Sequence, residues 1–179
     1  MPEISIRPAK VDDIQFIIEL DHSYSSEHVW QMDIRQTTGE TNIIFREVRL
    51  PRPMQVSYPK QYLNIKDEWT NRNGVLVSEI KGSMVGYISL NNQTTLRTTW
   101  VTDIAVKRQY RQQGIGSAMV IAAQEWALKK SSGRIILEMQ PKNYPAIKLA
   151  KKLGFDLCGY NDHYYPNNDI ALFFSKWLG

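Results

Sequence analysis

Asp103-Ile104-Ala105-Val106-Lys107-Arg108-Gln109-Tyr110-Arg111-Gln112-Gln113-Gly114-Ile115-Gly116-Ser117-Ala118 is the stretch on which the reading of this 179-residue chain turns. Thr98 to Val106 is dense in Thr, Trp and Val and reads as a strand. A polar turn follows, and then Ile115, Ala118, Met119, Ala122 and Trp126 recur at helical spacing, with Gln124, Glu125 and Lys129 on the other face. Gly114 and Gly116 therefore sit where a strand turns into a helix. Glycine lets the backbone approach an anion without a Cβ in the way. The free amides of a helix's first turn point at that anion, and the helix dipole adds to the attraction. Such a turn suits a pyrophosphate. It lacks the lysine of the GxxxxGK[ST] loop, which disfavours a nucleotide triphosphatase. It also lacks the third glycine and the ribose-binding acid of the dinucleotide fingerprint.

Before this stretch, Ile4-Ser5-Ile6 alternates and runs into Pro8, a short strand with a turn after it. Asp12 and Asp13 can cap a helix that carries Ile14, Ile17, Ile18 and Leu20. His22 to Gly39 carries a weak signal and is read as helical or irregular. Asn42 to Leu50 is read as a strand stopped by Pro51-Arg52-Pro53. Gly74 to Ile80 and Met84 to Leu90 form a strand pair around the short turn Lys81-Gly82-Ser83. After the glycine-opened helix, Ile135 to Met139 is an apolar strand interrupted only by Glu138. A second helix is expected from Asn143, with Pro145 in its first turn, to Gly154. Phe155 to Tyr160 and Ile170 to Lys176 read as closing strands. The order predicts one mixed α/β domain over residues 1–179, antiparallel early, with a strand-helix-strand unit in its second half.

Two segments in this order resemble the GNAT acetyltransferase superfamily. Ile104-Ala105-Val106 followed by Arg111 to Gly116 matches that family's R/Q-x-x-G-x-G/A turn, and Asn143-Tyr144-Pro145-Ala146 through Leu153-Gly154-Phe155 matches its "N-x-x-A…GF" segment. The opening Ile6-Arg7-Pro8-Ala9 with Asp12-Asp13 is also similar to the family's usual start. The likeness implies a mostly antiparallel central sheet flanked by helices and splayed at the cofactor-binding strands. It implies acetyl-CoA as co-substrate, with the pyrophosphate on the amides of Arg111, Gln112, Gln113, Gly114, Ile115 and Gly116, and Ser117 beside them. Ile104, Ala105 and Val106 would pair with the pantetheine arm, and Asn143 would meet it near the thioester. A narrower resemblance, to streptothricin acetyltransferases, runs from Leu137 to Asn143 and from Gly154 through Tyr165 to Phe174. Those enzymes acetylate an amine of an antibiotic, which implies a small-molecule amine acceptor. A protein or peptide amine and a non-catalytic acyl-CoA-binding domain are the alternatives.

Composition agrees with an ordinary globular protein, at 42% hydrophobic and 22% charged residues. No apolar run reaches a membrane span, no signal peptide is visible, and the lone Cys158 excludes an intrachain disulfide; a cytoplasmic protein is expected. The net charge of +4 is spread in short clusters with no nucleic-acid motif, so no nucleic-acid partner is expected. Whether the chain forms a homodimer is open. His22, His28 and His163 lack ligand spacing, and no metal is predicted. Cys158 is expected to be buried and inert.

Acetylating an amine requires removing a proton from an ammonium of pKa ~10.4. Asp103 and Glu138, acids within apolar strands, are the candidate bases, because desolvation would raise their pKa. Many relatives carry a tyrosine seven residues after the asparagine matched to Asn143, to protonate the departing thiolate; this chain has Ala150 there. Tyr144, Tyr160, Tyr164 or Tyr165 could replace it, Tyr165 being favoured by the narrower resemblance, or no acid is needed. Trp30, Trp69 and Trp100 are candidate walls for an amine site, although core packing is the commoner role of such residues.

Overall fold

A computed structural model describes residues 3–59 and 74–179. Trp69 therefore lies outside the described residues. Strands β1 (Ile4–Pro8), β4 (Gly74–Ile80), β5 (Ser83–Gln93), β6 (Thr98–Val106), β7 (Arg134–Met139), β9 (Ala171–Trp177) and β8 (Asp156–Asn161) lie side by side in that order as a seven-stranded sheet. All neighbours are antiparallel except β6 and β7. That parallel pair needs a crossover, and helix α2 (Ile115–Lys129) supplies it. One face of the sheet packs Leu76, Val85, Ile88, Leu90, Val101 and Leu137 against α2 and α3 (Tyr144–Lys152). The other packs Val75, Val77, Tyr87 and Ala105 against α1 (Ile14–Glu19). Asp13 stands at the start of α1, but its carboxylate accepts from Lys10 N and Arg7 Nη1, both at 2.7 Å, rather than from the helix. The expected cap of α3 is present: Asn143 Oδ1 accepts from Ala146 N at 3.2 Å.

Three expectations are corrected. His22 to Gly39 is neither helical nor irregular: Tyr24–Thr37 is strand β2, paired over its length with β3 (Glu40–Val56) in a separate two-stranded sheet. The alternation of Trp30, Met32 and Ile34 with Gln31, Asp33 and Arg35 is the period-two signal for it. Pro51-Arg52-Pro53 does not end β3. The prolines fall where the register jumps from Ser26↔Met54 to His28↔Arg49, so no ladder bond is lost for want of their N–H. Cys158 is exposed, because β8 is the sheet's edge and Cys158 is the residue left out between the Leu157 and Gly159 pairings.

Candidate active site

The site begins with a bulge. Ser89 pairs with Asp103 and Leu90 with Val101, so Thr102 is an extra residue in β6. The β6–β7 ladder stops at Val101↔Leu137, although β6 continues to Val106 and β7 to Met139. The two central strands part beyond that point and open a slot. Lys107 N donates to Val85 O at 2.7 Å, so every second residue before it, Ala105 included, is bonded to β5. The main-chain groups of Ile104 and Val106 then face the slot. Consistent with this, Val106 O accepts from Arg111 Nε at 2.8 Å rather than from β5.

The N-terminus of α2 stands beside the slot. Gly114 has φ +85°, a conformation costly for a residue with a Cβ, and Gln112 is also left-handed at φ +61°. The first amide to bond within the helix is that of Ala118, to Gly114 O at 3.0 Å. The amides of Ile115, Gly116 and Ser117 precede it and form the helix's positive end. An ideal Cβ on Gly116 would lie 3.4 Å from Leu149 Cδ2, so a small residue there keeps α2 close to α3. This cradle fits a pyrophosphate. The side chain of Arg111 faces elsewhere: besides Val106 O, it donates to Ser23 O at 2.6 Å and Asp21 O at 2.8 Å. It ties the end of β6 to the loop before β2, while the Arg111 amide donates to Arg108 O.

The slot widens into a cavity of about 580 Å³, including its open mouth, whose lining contains Asp103, Ile104, Glu138, Asn143 and Tyr165. Four of the residues singled out for chemistry, drawn from β6, β7, the start of α3 and the turn before β9, thus converge with Ile104. Asp103 is almost wholly buried, and burial, followed by the charge of Glu138, raises its pKa well above the usual carboxylate range. Tyr164 donates to Glu138 Oε2 at 2.9 Å. Burial, then the nearby Glu138, pushes up the phenols of both Tyr164 and Tyr165. Trp100 meets Phe173 edge-on, and Phe173 meets Tyr164 likewise, but none of the three is among the residues lining the cavity.

The remaining candidates lie elsewhere. Tyr144 donates to Glu47 at 2.7 Å, Tyr160 packs on Phe45, and Trp30 packs on Phe45 and Phe174 under the two-stranded sheet. Ala150 is fully buried in the face of α3 that meets the core. Tyr24, Tyr58 and Gln140 line the cavity without having been singled out in the sequence. Tyr24 belongs to the stretch His22 to Gly39, where only the missed strand alternation would have drawn attention to it; Tyr58 follows the end of β3 and carried no local signal. Among the described residues no cluster of His, Cys, Asp and Glu could hold a metal, and no helix is long and apolar enough to cross a membrane.

The loop held by Arg111 carries a titrating group. His22 is buried, its Nε2 lies 2.9 Å from the Tyr87 hydroxyl, and burial lowers its pKa to about 4. The folded protein resists protonating this ring, whereas the unfolded chain protonates near pH ~6.5. His22 thus contributes stability that is complete above about pH 6.5 and is lost as pH falls toward 4. The loss amounts to about 3 kcal/mol at most. Urea unfolding of wild type and His22→Gln at pH 7 and pH 4.5 measures it, and the wild type should lose more stability between the two. Equal losses would mean that His22 is not held neutral.

A family model described as Acetyltransferase (GNAT) family matches residues 42–155. An N-alpha-acetyltransferase of Sulfurisphaera tokodaii is 37% identical over 53% of this chain, and the chain spans 64% of that relative, under two thirds of its length. Streptothricin acetyltransferase of Streptomyces lavendulae is 26% identical over 89% of this chain and 85% of its own. The crystal structure of a Bacillus anthracis str. Ames protein in complex with acetyl coenzyme A superimposes with a TM-score of 0.79 at 22% identity, covering 99% of both chains, and shares the fold.

Proposed function

The chain belongs to the acetyltransferase (GNAT) family, and we propose on that premise that it moves an acetyl group from acetyl-CoA to a primary amine of a small molecule. One observation carries the reading: the splay between β6 and β7 joins a glycine-opened helix N-terminus to a cavity lined by two carboxylates. Acetyl-CoA supplies the activated acetyl thioester. The amides of Ile115, Gly116 and Ser117 would hold its pyrophosphate, with Gln112, Gln113 and Gly114 shaping the turn. Ile104 turns its main-chain donor and acceptor into the slot for the pantetheine arm and Val106 its N–H, the Val106 oxygen being held by Arg111. The two N–H groups are the candidates to steady charge on a reacting carbonyl oxygen. Ala105 anchors that strand to β5, and Asn143 caps α3 at the slot's edge.

Asp103 and Glu138 receive the acceptor's ammonium and take a proton from it, leaving the neutral amine that attacks. Tyr165 has its phenol against acids that oppose its ionisation, so it serves better as a hydrogen-bond donor to Glu138 than as a source of protons. A thiolate with a pKa near ~8.5 can leave without such a donor.

The Streptomyces lavendulae likeness over most of the chain favours a small acceptor, and the 37% identity to an N-alpha-acetyltransferase supports a peptide N-terminus as the second reading. Incubating the protein with acetyl-CoA and following free CoA against a panel of streptothricin, amino acids, diamines and N-terminal peptides separates them. Release with the small amines is expected. Release with peptides alone would move the acceptor to proteins, and tight CoA binding without release for any amine would sink the catalytic reading.

A further inference from the structure

Three wall segments of the cavity meet at a residue that does not line it. The main-chain oxygen of Asp169 accepts from Tyr164 N at 3.0 Å and from Tyr165 N at 3.2 Å, closing the turn that carries both tyrosines. Its carboxylate accepts from Gln140 Nε2 at 2.6 Å, from Lys142 Nζ at 2.8 and 2.9 Å, and from Asn167 Nδ2 at 2.9 Å. Gln140 in turn accepts from the Tyr24 hydroxyl at 2.8 Å. Tyr24 at the start of β2, Gln140 at the exit of β7 and Tyr165 before β9 are thus bound into one network, and all three line the cavity.

Three donors from three side chains converge on this one group, and one of them is a cation. A carboxylate, which only accepts, satisfies them all; an amide of the same shape would turn an NH₂ against a lysine ammonium. We propose that Asp169 is a positioning residue for amine acetylation: it fixes Tyr165 and Tyr164 against Glu138 and Gln140 against Tyr24, and so sets the shape of the acceptor pocket without touching the acceptor. The proposal rests on the transferase reading given above. It also distinguishes two halves of the site, because Asp169 bonds to the acceptor walls and to nothing in the Arg111–Ser117 turn.

Asp169→Asn and Asp169→Glu test it. With the best amine of the panel, Asp169→Asn should raise the acceptor KM about tenfold or more, while the Kd for CoA stays within twofold. Asp169→Glu, which keeps the acceptor-only group, should recover part of the loss. Asp169→Asn keeps the main-chain oxygen but loosens the turn by weakening the side chain's hold on Gln140 and Lys142. In hydrogen exchange, the amides of Tyr164 and Tyr165 should therefore exchange at least tenfold faster in Asp169→Asn, with those of α2 unchanged. An unchanged KM, or a parallel loss of CoA affinity and melting temperature, overturns the positioning role. Should the wild type release no CoA with any amine, the transferase reading fails by that result alone; unchanged exchange at Tyr164 and Tyr165 would then still refute the proposal.

Discussion

Gly114→Val is expected to weaken acetyl-CoA binding at least about a hundredfold while leaving the sheet intact. The argument has two parts. Gly114 holds φ at +85°, a region that a β-branched residue enters at a cost on the order of 1–3 kcal/mol, so the turn would rebuild itself rather than accept the strain. Rebuilding moves the amides of Ile115, Gly116 and Ser117, whose common direction is what would make the turn an anion site under the proposed function. Titration calorimetry with CoA reads the affinity, and the circular dichroism of the variant reads the fold. Gly114→Ala should lie between wild type and Gly114→Val, since alanine tolerates the left-handed region better than valine does. Unchanged affinity in Gly114→Val would remove the cofactor assignment. Weak binding in a protein that had lost its helical signal would instead show that the turn is needed for folding, and Gly116→Leu, directed at Leu149, then provides the second measurement.

The half of the molecule from Gly74 onward is legible in the sequence because each element there carries its own local signal. Gly114 and Gly116 mark a helix start, Asn143 and Pro145 another, and Lys81-Gly82-Ser83 a hairpin. Asp103 and Glu138 stand out because an acid in an apolar strand must have a partner or a purpose. Strand β2, and the run of β3 past the segment Asn42 to Leu50 already read as a strand, were not legible for the opposite reason. Both strands are largely solvated, with Ser, Glu, Gln and Arg in place of an apolar run, and two prolines in β3 read as a stop. What makes Tyr24 part of the site is a bond to Gln140, 116 residues away, which no local pattern encodes. Asp169 is the same case: its sequence neighbours say turn, and only the fold brings Lys142 and Gln140 to it. The exposure of Cys158 likewise depends on β8 being an edge, a property of strand order rather than of the residues around it.

Asp103→Asn is expected to lower kcat/KM by about 10²–10⁴-fold, the range in which a positioned base contributes. The substitution is isosteric and removes a charge that burial disfavours, so the loss cannot be ascribed to unfolding. Because the folded-state pKa of Asp103 is raised, its ionisation takes stability away as pH climbs past the ordinary carboxylate value, and Asp103→Asn should melt no lower than wild type at pH 8. The pH profile gives the sharper test. A base must be unprotonated to act, so wild-type kcat/KM should fall as pH drops through the raised pKa, and Asp103→Asn should lack that ascending limb. Glu138 enters through its charge, which is the second cause of the raised pKa after burial. Glu138→Gln therefore lowers the pKa of Asp103 and moves the limb to lower pH, even as the loss of one carboxylate weakens acceptor binding. A limb that stays in place in Glu138→Gln would mean the two acids do not share the proton. A limb that survives in Asp103→Asn would pass the role of base to Glu138 alone.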